Sequence, residues 1–171
     1  SNDGITVRAG KNVITGHENN ELTWVTTHDV GSGIGVDTIG QGDSAKVWNP
    51  GEVLDIDFAQ AANKVTITLA DIGSNNFGDG IDYKVYLESD PSNPVVLEFE
   101  LPSYVADGLA TFTIDVADLA PGDGIVGVDL YSIKNGSLDP SSFLLNNVVA
   151  EYPGTTTNVD CVEDQFEYVL T

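Results

Sequence analysis

Apolar and polar residues alternate along most of the chain. In Glu52–Phe58, Leu54, Ile56 and Phe58 fall on one side, and Val53, Asp55 and Asp57 on the other. That is the two-residue period of a half-buried strand. Lys64–Leu69 repeats it, with Val65, Ile67 and Leu69 inward. Val95–Leu101 sets Leu97, Phe99 and Leu101 against Glu98 and Glu100, and Ala110–Val116 sets Phe112, Ile114 and Val116 against Thr113 and Asp115. Glu21–Thr27, Tyr83–Leu87, Ile125–Ile133, Phe143–Val149 and Phe166–Thr171 are read as further strands, because Val, Ile, Thr and aromatic residues suit a pleated surface. Residues 1–16 are read as a short strand and a turn.

Between these runs lie turn signals. Ser89–Pro94 and Asp118–Gly124 are turns by composition, and Gly154–Asn158 reads as a linker. Helix is expected only as single turns at Tyr104–Ala106 and Pro140–Ser142. About nine or ten short strands with regular turns predict an all-β fold: an antiparallel two-sheet β-sandwich, jelly-roll-like, with long calcium-binding loops.

The calcium reading starts from Gly33-Ile34-Gly35-Val36-Asp37, which is read as a glycine-rich loop continuing through Gly42-Asp43 to Glu52. Glycines let backbone carbonyls turn inward, and Asp and Glu add the oxygens that a hard cation requires. Asp37, Asp43 and Glu52 are therefore a first set of candidate ligands. A long polar segment supplies a second set, with Asp71, Asp79 and Asp82 as ligands and Asn75, Asn76 and Phe77 facing a bound partner. Asp123 and Asp129 make a third. Asp129 stands in an apolar run, where burial without a partner would be costly. It either faces solvent or ligates an ion. No complete EF-hand or nonapeptide calcium motif is present.

Charge sharpens this picture. The 171 residues hold 27 acidic and 6 basic side chains, a formal net charge of −21. Such a chain repels nucleic acid and anionic lipid, so neither is an expected partner. The acids are mostly Asp, which favours short oxygen ligands in loops over a merely solubilising surface. Cys161 is the single cysteine. It cannot form an internal disulfide, and His17 and His28 build no zinc motif with it. An Asp-rich, Cys-poor, Met-free chain fits an extracellular bacterial protein that uses calcium where others use disulfides. A halophilic enzyme would share the charge. No run is long and apolar enough to cross a membrane. The chain opens on Ser rather than Met, as expected of a domain cut from a longer protein.

Other chemistry is weaker. Trp24 alternates within a strand and is read as core, whereas Trp48, beside Asn49-Pro50-Gly51, is a candidate contact for a sugar or peptide. His28-Asp29 has no accompanying Ser or Cys nucleophile motif. Asp55 and Asp57 share one strand face and resemble metal ligands or solvated charge more than a glycosidase pair, which spans a cleft. No catalytic site is expected.

The series Gly33-Ile34-Gly35-Val36-Asp37, Gly42-Asp43, Glu52 to Phe58 and Val65 to Leu69 resembles a β-sandwich module of large bacterial adhesins of the RTX (repeats-in-toxin) class. The likeness spans roughly residues 30–150. It is nearest to the calcium-dependent peptide-binding module carried on a split domain near the adhesin tip. Asp164 to Thr171 resembles the strand that leads into calcium-binding runs of adhesin extender repeats. The resemblance implies a ligand-binding module over residues 26–154. Residues 1–25 and 155–171 would then be two halves of a split support domain, or terminal strands of the same sandwich. It further implies Ca2+ as cofactor, a location at the bacterial cell surface, and flanking adhesin domains in the same polypeptide. The expected partner is the C-terminal end of a peptide or protein, with no direct membrane insertion. A cell-surface glycan, or a spacer role in which calcium only stiffens the module, are the alternatives.

Overall fold

The computed structural model describes residues 4–10, 20–26, 32–38, 52–70, 80–100, 108–131 and 143–160. Eleven strands are described: β1 (Ile5–Ala9), β2 (Asn20–Thr26), β3 (Ser32–Thr38), β4 (Val53–Ala62), β5 (Lys64–Ala70), β6 (Gly80–Leu87), β7 (Asp90–Glu100), β8 (Ala110–Asp115), β9 (Ile125–Tyr131), β10 (Leu144–Tyr152) and β11 (Thr155–Asp160). They form two antiparallel sheets. One has the order β1-β4-β9-β6-β7, and the other β2-β3-β10-β5-β8, with β11 also paired to β10. The two-sheet sandwich expected from alternation is therefore the observed architecture.

The inward positions meet between the sheets. Leu54, Ile56, Ile81, Val85, Val128 and Leu130 from the first sheet are buried against Ile34, Val36, Val65, Ile67, Leu69, Phe112, Leu145 and Val148 from the second. Phe112 joins the layers, with ring centroids 5.0 Å from Tyr83 and 4.6 Å from Phe99. Burial of these apolar faces is the main favourable term holding the sheets together.

Several local readings change. Ser32–Thr38 is a strand paired with β2 and, at Ile34, with β10, so Gly33-Ile34-Gly35-Val36 is sheet and not a cation-cradling loop. The small residue at Gly33 serves close approach and not a turn. A Cβ on Gly33 would lie 2.5 Å from the Leu145 carbonyl oxygen and 2.9 Å from Leu144 Cβ. Gly33→Ala is expected to cost about 1–3 kcal/mol through this overpacking. Gly127→Ala, whose Cβ would have its nearest neighbour at 3.4 Å, is the matched control. Chemical denaturation of both variants checks the difference.

The supposed linker after Gly154 is β11, held in register with β10 from Tyr152↔Thr155 to Asn147↔Asp160. The Ser89–Pro94 turn shrinks to Glu88-Ser89, since β7 already starts at Asp90. A short helix, α1 (Val116–Leu119), starts where a strand end and turn were expected. Its cap is Asp115, whose Oδ1 accepts a hydrogen bond from Ala117 N–H at 3.0 Å; this is the ordinary chemistry of an Asp N-cap. The helical turns expected at 104–106 and 140–142, and the strand at 166–171, lie outside the described residues.

Strand direction divides the sandwich into two ends. The connections β4–β5, β6–β7, β8–β9 and β10–β11 gather at one end. Its backbone hydrogen bonds include Asn63 N–H to Glu151 O at 2.7 Å and Glu88 N–H to Gly124 O at 2.8 Å. The registers set Ala9, Val53, Gly80, Glu100 and Tyr131 at the other end of the first sheet. Thr38, Ala70, Ala110 and Leu144 lie at that end of the second. These residues flank segments 11–19, 39–51, 71–79, 101–107 and 132–142.

Candidate functional site

On the outer face of the five-stranded sheet, the registers line up a row of chemistry. Arg8 lies opposite Asp55, Asp55 opposite Asp129, and Asp129 opposite Lys84. The next row sets Thr6, Asp57, Gly127 and Tyr86 side by side. Alternation dictates this arrangement: with Leu54, Ile56, Val128, Leu130 and Val85 turned into the core, their neighbours must face outward. Gly127 leaves a gap in the second row. The result is a shallow hollow of about 300 Å³, lined by Asp55, Asp57, Tyr86, Pro91, Val126, Gly127 and Asp129.

Hydrogen bonds fix the acids. Asp129 Oδ2 accepts from the Tyr86 hydroxyl at 2.5 Å and from the Tyr131 hydroxyl at 3.2 Å. Arg8 pairs with Asp57. Lys84 Nζ sits 4.9 Å from the centre of the Tyr131 ring, a cation–π contact that leaves its charge beside Asp129. Gly10, bonded through its N–H to Val53 O at 2.8 Å, brings backbone so near Asp55 that a Cβ there would strike its carboxylate.

This crowding sets the protonation of the site. Burial raises the Asp55 carboxyl to about 6; the neighbouring Asp129 charge and a side-chain hydrogen bond with Asp129 add to the rise, and Arg8 opposes it. Asp55 therefore gives up its proton less readily than an ordinary Asp, since ionising it sets a second charge beside Asp129 in a partly desolvated place. Burial also pushes the Tyr86 and Tyr131 hydroxyls up, with Asp129 reinforcing the shift, so both stay donors at neutral pH.

The calcium candidates are distributed differently. Asp37 belongs to β3 and is paired in register with Glu21. Glu52 is fully buried just before β4. Asp82 is half-buried on the outer face of β6. Asp43, Asp71, Asp79, Asn75, Asn76, Phe77 and Trp48 lie outside the described residues. Asp123 sits at the opposite end and ties two turns together. It accepts from Ser89 N–H at 3.1 Å, Gly124 N–H at 2.8 Å and the Ser89 hydroxyl. Those donors, the Ser89 hydroxyl foremost, hold its carboxyl below the usual range. Asp129 is committed to the tyrosines and Asp55, well apart from Asp123. Among the described residues, no group of three His, Cys, Asp or Glu side chains is arranged to hold a metal ion.

Sequence reading noted Asp55 and Asp57 as a strand pair but missed the partnership of Asp55 with Asp129. The two are 74 positions apart (129 − 55), and only the β4–β9 register joins them. The signal available was the interruption of an apolar run by Asp129 itself.

The fold defines the chain as an antiparallel β-sandwich protein. No protein-family model matches it, and no curated protein is similar to it in sequence.

Proposed function

We propose that this chain is a calcium-dependent adhesion module of a bacterial surface protein of the RTX class. It acts by gripping the end of a peptide or protein and not by catalysis. In this reading the sandwich is jelly-roll-like, and Asp37, Asp43, Glu52, Asp71 and Asp79 supply the calcium ligands. Asn75, Asn76, Phe77 and Trp48 meet the partner, and the module works outside the cell among other adhesin domains.

The supporting observation is the polarity of the sandwich. Asp37 and Glu52 stand at the same end as the residues flanking the segments that contain Asp43, Asp71 and Asp79. β-Sandwiches carry their recognition surfaces on such clusters of connections, held by a rigid scaffold. The net charge of −21 adds a reason for cations to bind. The Asp55–Asp129 pair does not suit a glycosidase, because a side-chain hydrogen bond joins its carboxyls. Glycosidase carboxyls stand about 5 Å apart or more, to admit a sugar or water.

The test is a peptide and glycan array probed in calcium and again in EDTA. Calcium-dependent hits sharing a C-terminal sequence are expected. Hits confined to glycans would replace the peptide reading with a lectin-like one centred on Trp48. Silence on both arrays, with calcium still raising the melting temperature, would leave a structural spacer.

A further inference from the structure

The centre of the five-stranded sheet has a feature that loop-borne ligand binding does not need. Asp55 and Asp129 face each other across the β4–β9 pair, one of the interior strand pairs of that sheet. Like charges directly opposite on neighbouring strands destabilise their pairing. Here the sequence puts them together and then closes the surroundings around them. Gly10 backbone crowds Asp55, the Tyr86 and Tyr131 hydroxyls converge on Asp129 Oδ2, and Gly127 leaves the hollow beside them.

We propose that the Asp55–Asp129 pair is a proton-operated catch in the middle of this sheet, closed while the two carboxyls share one proton and loosened when both are ionised.

The charges facing the pair leave that proton a role. From β1, Arg8 is engaged with Asp57, which β4 adds as a further acid. From β6, Lys84 lies over the Tyr131 ring of β9, Tyr86 donates to Asp129, and the acid Asp82 stands farther along the outer face, opposite Glu98. The β7 contribution at the hollow is the uncharged Pro91, with Glu98 farther along that strand's outer face. In the two rows at the hollow, two cations thus stand against three carboxyls, and one of the cations is engaged with Asp57. Both tyrosines donate to the same oxygen of Asp129, so neither neutralises Asp55. A proton on Asp55 supplies the missing donor between the two carboxyls.

The linkage has a definite sign. An ordinary Asp titrates near 3.8, and burial beside Asp129 raises Asp55 to about 6. Between these values the folded chain holds a proton that the unfolded chain has released, so stability falls as pH rises through this window. Below it both states are protonated, and the repulsion is absent. Above it both are ionised, and the repulsion is complete.

The experiment is urea unfolding of the intact chain from pH 4 to 8, with Asp55→Asn compared against wild type at every pH. Asn keeps the shape and the donor of the protonated carboxyl but cannot ionise. The ratio of folding constants, variant over wild type, is expected to rise at least about threefold between pH 4 and 7, then level off. A two-unit shift would allow about a hundredfold, which solvent screening at this half-exposed site reduces. Taking the ratio cancels the pH dependence of the carboxylates that do not interact with Asp55. A ratio independent of pH would overturn the proposal. Carbon-13 titration of the Asp55 carboxyl provides a readout on the unmutated protein. A midpoint below about pH 4.5 would overturn the catch, whereas one near 6 that moves higher in Arg8→Gln would support it.

Discussion

Stripping calcium with EDTA is expected to lower the melting temperature by about 5–10 °C for each site emptied. The size follows from mass action. An ion that binds only the folded chain stabilises it by RT ln(1 + [L]/Kd), about 2.7 kcal/mol when calcium stands at a hundred times its dissociation constant. In a chain of 171 residues each kcal/mol moves the midpoint by about 2–4 °C. Release from the mutual repulsion of a −21 chain adds to this, and the added part shrinks at high salt. Magnesium at equal concentration should not restore the loss, since loop carboxylates and carbonyls fit calcium's larger, looser coordination shell. Asp37→Asn and Glu52→Gln should each reproduce part of the EDTA effect. Identical melting curves with and without EDTA, on protein shown to be metal-free, would remove calcium from the proposed function. If both variants kept wild-type calcium affinity, the choice of ligands would be wrong while the cation could stand.

Phe143→Ala is expected to destabilise the fold by about 3–5 kcal/mol, a large share of the roughly 5–15 kcal/mol that holds a domain together. Phe143 is completely buried and is the largest of the fully buried side chains among the described residues. Leu144 and Leu145, which follow it, are fully buried as well. The alternation of buried and exposed positions is suspended at this end of β10. Leu145 enters the core between the sheets, while Leu144 lies against Gly33 of the neighbouring strand β3. The β10–β5 ladder then shifts register between Leu145 and Asn147. Truncating Phe143 would leave a cavity where the chain has no slack to collapse. Phe143→Leu, which keeps most of the volume, should cost about 1 kcal/mol. Urea midpoints with unchanged slopes check both values. An alanine variant within 1 kcal/mol of wild type would mean that this residue does not belong to the closed core.

The sheets were legible in the sequence because their signal is local. Leu54, Ile56 and Phe58, or Val65, Ile67 and Leu69, declare a buried face through their own spacing, and both runs are buried as expected. The errors came where local composition has two meanings. Gly33 and Gly35 suggested a turn, yet the small residue at Gly33 is needed so that β3 can approach β10. Gly154 and the threonines after it suggested a linker. Gly154, at φ +86°, instead forms the turn that folds β11 back onto β10. Thr155 and Thr156 are exposed on that strand, where polar side chains are tolerated.

The outer-face site divides in the same way. That Asp55 and Asp57 would share one strand face followed from alternation alone, as did the inward position of Val65, Ile67 and Leu69 in the other sheet; for Asp129 alternation left open whether it faces solvent or ligates an ion. The sequence by itself determined an all-β sandwich, its inward residues and its heavy negative charge, because these depend on residue type and a period of two. Only the tertiary structure decided which strands are neighbours, and with that which acids face each other. Register is a long-range property: moving β9 by one residue against β4 would turn Asp129 inward and part it from Asp55. The same long-range pairing set the ends of β3, β4, β5 and β6 that flank the acidic segments at one pole of the sandwich.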